Sequence, residues 1–86
     1  MFYTYLTFPD ETTVAYSQLL DDMTVEVRIE RPIDWGFDSA RCILPAFTWS
    51  DVQGFSADEM ADLDDLVHHN APLIMRLAQE ETKTSA

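Results

Sequence analysis

The residues best suited to chemistry are two adjacent histidines, His68 and His69, which follow the aspartates Asp64 and Asp65 by four positions each. Residues four apart lie on one face of a helix, so each Asp/His pair resembles half of a metal site. Adjacent side chains, however, point about 100° apart on a helix, and no third ligand is evident. We therefore expect no metal and no cofactor, and we interpret the histidines as helix residues whose charge changes near neutral pH.

A catalytic site is not indicated elsewhere in the chain. The only cysteine, Cys42, lies in an apolar segment and is typical of a small buried strand residue. Two glycines are too few for a phosphate-binding loop, and no spacing suggests a nucleophile, a base and an oxyanion donor. A single cysteine also excludes an intrachain disulfide. We expect a protein that is not an enzyme.

Three aspartates, Asp58, Asp62 and Asp65, recur at i, i+4 and i+7 and form a row of carboxylates, with Asp64 beside it. Like charges at i, i+4 destabilise an isolated helix by about 0.3 kcal/mol per pair, so the row does not serve the fold. Carboxylates about 5 to 6 Å apart resemble successive phosphates and suit a basic nucleic-acid channel. The alternative is a solvated face whose carboxylates gather at the positive end of a helix.

A second candidate site is the mobile loop predicted at 32–39, whose segment Asp34-Trp35-Gly36-Phe37-Asp38 places two aromatic residues between two acids. Binding energy in protein interfaces concentrates in buried aromatic side chains, so Trp35 and Phe37 are suited to anchor a partner. The alternative is that both rings fold back over an open end of the protein's own core. The acids Asp34 and Asp38 are included in the predicted partner-binding site.

One long helix is predicted to follow the sheet and to carry the acidic row. Ser56 is a suitable N-cap, and Glu59 completes a capping box. Residues 56–81 have one apolar stripe that stays in phase across Pro72, which favours one bent helix over two. Residues 50–55 are predicted to be a loop and residues 82–86 a frayed tail. The stripe consists of Met60, Leu63, Leu66, Val67, Asn70, Leu73, Ile74 and Leu77.

Residues 1–49 are predicted to form four strands, at about 1–8, 12–19, 23–31 and 40–49. Alternation is cleanest in the third, where Met23, Val25, Val27 and Ile29 face the core. Short turns imply an antiparallel meander, and Pro45 indicates either that the fourth strand is at an edge or that it has a bulge at that point. The predicted fold is a single α+β domain, 1–86, in two layers: a four-stranded antiparallel meander covered on one face by the Pro-bent C-terminal helix.

Composition narrows the classes of partner. The net charge is -11, from 16 acidic against 5 basic residues, and such a field repels nucleic acid and anionic membranes. No apolar run approaches the roughly 20 residues of a membrane helix, and the N-terminus lacks the pattern of a secretory signal. We expect a cytoplasmic protein with a basic protein partner, itself nucleic-acid-binding, and with no direct contact to nucleic acid or membrane.

In size and composition the chain resembles the phage-encoded anti-CRISPR proteins and other DNA-mimic inhibitors, a resemblance of class that covers no motif. It implies an inhibitor in which Asp58, Asp62 and Asp65 supply charge while Trp35 and Phe37 supply the anchor. One alternative is an antitoxin or immunity partner of a basic toxin. Another is a structural homo-oligomeric adaptor. A homodimer would form through the open sheet face or through the edge strand that contains Cys42.

Overall fold

The computed structural model describes residues 1–84, which form a five-stranded antiparallel sheet followed by one long helix. The strands lie in the sheet in their sequence order, so the predicted α+β meander is confirmed, with five strands in place of four. The elements are β1 (Phe2–Thr7), β2 (Thr13–Ser17), β3 (Val25–Ile33), β4 (Gly36–Leu44), β5 (Thr48–Gln53) and α1 (Ala57–Thr84).

The extra strand arises because the predicted strand 40–49 is two strands. Pro45 lies in the turn between β4 and β5, where Phe47 adopts a left-handed backbone conformation with φ 58°. Pro45 therefore ends a strand, and β5 extends into the predicted loop 50–55. Cys42 lies on β4, an interior strand between β3 and β5, so the predicted homodimer through a Cys42 edge is wrong.

The predicted loop 32–39 is the tip of a β-hairpin. The strands β3 and β4 stay in register up to the pair Ile33 and Gly36, which leaves a two-residue turn at Asp34 and Trp35. Pro32 is tolerated near this end of β3, where it pairs with Phe37. The aromatic residues predicted to lie in a mobile loop therefore stand at the end of a paired ribbon.

The core lies between one face of the sheet and α1. Strand residues Val25, Val27 and Ile29 are fully buried, as the alternation predicts, but Met23 is 64% exposed because it lies in the β2–β3 turn with a left-handed φ of 67°. Burying an aliphatic side chain of this kind stabilises a fold by roughly 1.5 to 3 kcal/mol. The other core residues are Val14, Tyr16, Cys42, Leu44, Leu63, Val67, Ala71, Ile74 and Ala78.

Strand β1 contacts the helix through its tyrosines. A bulge between Thr4 and Leu6 interrupts the pairing with β2, and Tyr5 lies within it. The Tyr5 hydroxyl donates a 2.6 Å hydrogen bond to Asn70 Oδ1, while Asn70 Nδ2 donates to Leu66 O at 2.7 Å. The first strand is thereby joined to the middle of α1, on the face where the core forms.

The helix begins at the predicted cap and continues across the proline. The Ser56 N–H donates to Glu59 Oε1 at 2.9 Å and the Glu59 N–H donates to Ser56 Oγ at 3.1 Å, which is the reciprocal capping box. A single helix then runs through Pro72 to Thr84. The prediction of one helix is confirmed.

The helix also extends three residues beyond its predicted end. The Thr82 hydroxyl donates to Ala78 O at 2.9 Å and accepts the Leu19 N–H at 2.9 Å, which fixes this part of α1 to the chain after β2. Residues 82–84 are therefore helical and not a frayed tail, while Ser85 and Ala86 lie outside the described residues. Within residues 1–84, no helix has the length and apolarity to cross a membrane.

Candidate functional site

Three segments meet at one end of the molecule: the β1–β2 turn, the tip of the β3–β4 hairpin and the start of α1. The antiparallel register brings the first two together, since Thr13 at the start of β2 pairs with Glu30 near the end of β3. An ion pair between Arg31 and Glu59 joins the start of α1 to this end of the sheet. We call this region the acidic end, defined by the carboxylates Asp10, Glu11, Asp34, Asp38, Asp58, Glu59 and Asp62.

Arg31 is the cation around which the acidic end is arranged. Its Nη2 and Nε lie 2.6 Å and 2.9 Å from Asp38 Oδ2, its Nη1 donates to Glu59 Oε2, and its guanidinium lies 4.7 Å from the centre of the Phe55 ring. The Arg31 hydrogen bond, with help from the Ser56 N–H, lowers the pKa of Glu59 to about 2. The hydrogen bonds to Glu59 and Asp38 raise the pKa of Arg31. The hairpin is thereby ion-paired to the first turn of α1.

Asp38 is a structural residue and not a free acid beside the aromatic tip. Its side chain is only 13% exposed, and its carboxyl group faces Arg31. Gly54, with φ 89°, lies directly against that carboxyl group, and a Cβ at this position would collide with it. Asp38 therefore joins β4 to the segment before α1, and its role in partner binding stays a prediction.

Asp58, Asp62 and Asp65 are exposed on α1. Among residues 1–84, no ion pair or hydrogen bond engages the carboxylate of any of the three. Seven residues of helix separate the first from the last, a rise of about 10 Å. These three carboxylates, which we call the acidic row, face solvent together at and beside the acidic end.

Asp64 does not belong to the acidic row. It is half-buried, accepts a 2.8 Å hydrogen bond from Trp49 Nε1 and lies 3.4 Å from His68 Nδ1. These contacts fix the edge strand β5 to the helix. Asp64 therefore helps to pack β5 against the helix, and its role in partner binding stays a prediction.

The aromatic tip, defined as Trp35 and Phe37, stands away from the core. Trp35 is 86% exposed and Phe37 is 61% exposed, and Asp34 beside them is also exposed. The alternative that these rings fold back over an open end of the core is therefore wrong. Large aromatic surface left in water on a small domain is typical of an interaction site.

A cavity of about 170 Å³ at the acidic end was not anticipated from the sequence. Thr12 donates its N–H to Asp10 Oδ1 at 3.0 Å at the rim of this cavity, which lowers the pKa of Asp10. Arg31 is the residue that pattern alone could have found, because the alternation of β3 continued past Ile29 places it on the helix side. The lining residues are Phe8, Asp10, Thr12, Arg31, Phe55, Glu59, Asp62 and Leu63.

The arginines on the opposite face of the sheet are paired with their own carboxylates. Glu26 Oε2 lies 2.5 Å from Arg28 Nε and 3.1 Å from Arg41 Nε, the second contact being an ion pair that is not aligned as a hydrogen bond. Arg41 Nη1 donates to Asp51 Oδ2 at 3.1 Å, which raises the pKa of Arg41. These cations therefore do little to offset the charge of the acidic row.

The residues considered first for chemistry lie apart from the acidic end or face inward. His68 Nδ1 and His69 Nδ1 lie 2.8 Å and 2.7 Å from the carbonyls four residues before them, and the His68 ring stacks on Phe47 at 3.7 Å. Cys42 is buried, which raises the pKa of its thiol to about 11. Among the described residues no group of three or more His, Cys, Asp or Glu is arranged to hold a metal ion.

Among residues 1–84, the acidic row and the aromatic tip are thus two exposed features that suit a binding function. Comparison of the sequence with protein-family models and with curated proteins, and of the fold with solved structures, finds no match.

Proposed function

We propose that this protein is an inhibitor that binds a basic, nucleic-acid-binding protein and occupies its phosphate-binding surface. The observation that supports it most is the exposure of Asp58, Asp62 and Asp65 on one helix without a partner among residues 1–84. Unpaired like charges in a row oppose folding slightly, so their placement favours a role outside the fold.

The spacing of the acidic row suits phosphate mimicry. Carboxylates on one helix face are about 5 to 6 Å apart, which resembles the separation of successive phosphates along one strand, so three carboxylates match a short stretch of backbone. The row is held in place because the buried face of the same helix, through Leu63 and Val67, is part of the core. A rigid row loses little conformational entropy when it binds.

The aromatic tip supplies the apolar part of the proposed interface. The pair Ile33 and Gly36 closes the hairpin two residues beyond Arg31, which is itself ion-paired to Glu59 in the first turn of α1. Trp35 and the acidic row are therefore presented from the same end of one rigid unit. An exposed Trp beside a charged surface is the combination in which the aromatic ring anchors and the charges steer.

Charge sets the kind of partner. With a net charge of -11, the protein attracts basic surfaces and repels nucleic acid itself. Proteins that hold DNA or RNA have such basic channels, and their affinity for phosphates falls steeply with salt. Binding of this inhibitor to its target would fall with salt in the same way.

An affinity capture from extracts of the source cell tests the proposal. The bait variant Asp62→Asn/Asp65→Asn removes two charges from the row and leaves the first helical turn intact, and Asp21→Asn/Asp22→Asn removes two exposed charges in the β2–β3 turn, at the other end of the sheet. We expect a nucleic-acid-binding prey that is lost with the first variant, kept with the second and released by added DNA or by salt. A prey list that is the same for both variants would contradict mimicry. A prey that is a small basic toxin, with the same dependence on the row, would indicate an antitoxin.

A further inference from the structure

Strand β1 leaves one row of backbone groups without a strand partner. It is the first strand of the sheet order, and within residues 1–84 only β2 pairs with it. The outer N–H and C=O groups of Phe2–Thr7 are therefore available to another strand.

The side chains of β1 do nothing to prevent such pairing. Natural edge strands are protected by charged residues, above all lysine, or by proline, and Phe2–Thr7 contains neither. The opposite edge, β5, carries Asp51 in a left-handed conformation with φ 51°, which interrupts a regular ladder. Both edge strands contain a bulge, so charge and backbone conformation are what separate them.

We propose that β1 pairs antiparallel with β1 of a second copy of this chain, so that the two sheets continue across a twofold axis. Such an interface is self-complementary, because both copies contribute the same residues. With Thr4 at the twofold axis, Thr4 meets Thr4 of the second copy on the face away from the helix, and Tyr3 meets Tyr5 on the helix face. Cross-strand pairs of these types stabilise antiparallel strands.

The absence of charge on β1 favours a second copy over a basic extended segment. A lysine-rich strand needs carboxylates along the line of contact, and the nearest ones in sequence, Asp10 and Glu11, lie beyond the end of β1. In a dimer, the uncharged strand β1 of one copy lies against the uncharged strand β1 of the other. The cost is the repulsion of two chains that each carry -11, and added salt screens that repulsion.

The opposite signs of salt dependence separate this dimer from charge-driven binding. The dimer gains affinity as salt rises, whereas a basic partner on the acidic row loses affinity. A twofold axis at β1 also points the two acidic ends in opposite directions, so that one dimer would hold two targets. That consequence rests on the proposed function, but the dimer itself does not.

Sedimentation velocity on the purified chain tests the dimer. Edge-to-edge contacts are small, so the protein should be studied from about 10 μM to about 1 mM, at about 20 mM and about 500 mM salt. We expect a monomer–dimer equilibrium whose Kd falls about fivefold or more at the higher salt. A monomer at every concentration and both salts, or association that weakens with salt, would overturn the proposal.

A matched pair of variants locates the interface. Thr4→Lys and Thr48→Lys each add one positive charge to an exposed threonine on an edge strand, on the sheet face away from the helix. We expect Thr4→Lys to raise the dimer Kd about tenfold or more, since two lysines then meet across the axis. We expect Thr48→Lys to leave the dimer Kd unchanged or to lower it. The reverse pattern would place the contact at β5 and overturn the proposal.

Hydrogen exchange on the wild-type chain locates the interface without any substitution. Amides of Phe2–Thr7 should become more protected as protein concentration rises, while those of Thr48–Gln53 should not. Protection of β1 that is independent of concentration, in a sample that sedimentation shows to associate, would also overturn the assignment. Failure of this inference would leave the capture experiment with the acidic row unaffected.

Discussion

Arg31 Nη2 lies 2.6 Å from Asp38 Oδ2 across the β3–β4 hairpin, and this pair is the point at which the aromatic tip is joined to the rest of the protein. The two residues are direct cross-strand partners. Because the Arg31 Nη1 donates to Glu59 at the same time, the orientation of the hairpin is coupled to the first turn of α1. The position of the aromatic tip relative to the start of the acidic row therefore depends on the Arg31 guanidinium.

Replacing Arg31 with methionine should lower the stability of the fold more than replacing Arg28 in the same way. The Arg31→Met variant leaves the Asp38 carboxylate, only 13% exposed, without its partner, and an unpaired carboxylate in such a site is costly. Arg28 is 51% exposed, and its partner Glu26 keeps the ion pair with Arg41 when Arg28 is lost, so no carboxylate is left without a cation. Urea unfolding followed by circular dichroism measures both midpoints. Equal midpoints for the two variants would contradict the structural role of Arg31.

Acid should destabilise the protein partly through Glu59. Because the pKa of Glu59 falls to about 2 in the folded chain from an ordinary value of 4.5, its contribution to stability is present above the ordinary value and is lost as pH falls towards the folded one. The lowered pKa values of Asp10 and Asp22 act in the same direction. The free energy of unfolding of Glu59→Gln should therefore fall less steeply with acid than that of the wild type over this window. Parallel curves would show that the Arg31–Glu59 pair does not form in solution.

Much of the fold was predictable because alternation and capping are local signals. Val25, Val27 and Ile29 of β3 are buried in the core, and Ser56 with Glu59 marks the start of α1, as expected. The split of the last predicted strand was not predictable in the same way. Phe47 at φ 58° is a conformation that an aromatic residue rarely adopts, and the pattern contains no glycine or asparagine there to signal it.

The candidate site was predictable only where it depends on helix periodicity. The spacing of Asp58, Asp62 and Asp65 places them on one face of any helix, and the structure leaves them exposed. The roles of Asp38 and Asp64 depend on strand register, which brings Arg31 and Trp49 to them from distant positions. Register is set by the turns between strands. The sequence did not predict the turn between β4 and β5, and it predicted the two-residue turn at Asp34 and Trp35 as a longer loop.

The hydrogen bond between Tyr5 and Asn70 should be measurable as stability. Removing the hydroxyl in Tyr5→Phe deletes a 2.6 Å contact between β1 and α1 and leaves the Asn70 amide oxygen without that donor. A partly buried hydrogen bond of this type contributes about 1 kcal/mol. Tyr3→Phe is the matched control, since the Tyr3 ring packs against Tyr16 at 5.6 Å and its loss of a hydroxyl should change the unfolding free energy by less than about 0.5 kcal/mol. Equal effects would show that Asn70 does not accept this bond.

Cys42 should be unreactive in the folded protein. Its side chain is fully buried on an interior strand, and burial raises the pKa of its thiol to about 11, so little thiolate is present or accessible near neutral pH. Labelling with a disulfide reagent should therefore be slow in buffer and should accelerate in parallel with unfolding as urea is added. Rapid labelling without urea would mean that β4 is accessible and that the sheet order is different.

The negative electrostatic potential of the acidic end should be measurable in the free protein, without any partner. In the single-tryptophan variant Trp49→Phe, the fluorescence of Trp35, which is 86% exposed, should be quenched more strongly by caesium than by iodide, with acrylamide as the neutral measure of access. Carboxylates near the ring concentrate the cation and exclude the anion, so the ratio of caesium to iodide quenching should approach that of a free tryptophan analogue at high salt. Adding Asp58→Asn/Asp62→Asn should lower the ratio, and adding Asp21→Asn/Asp22→Asn, in the β2–β3 turn at the other end of the sheet, should change it less. A ratio that responds equally to both pairs would mean that Trp35 senses only the net charge of the chain, and the acidic end would then not act as a local surface.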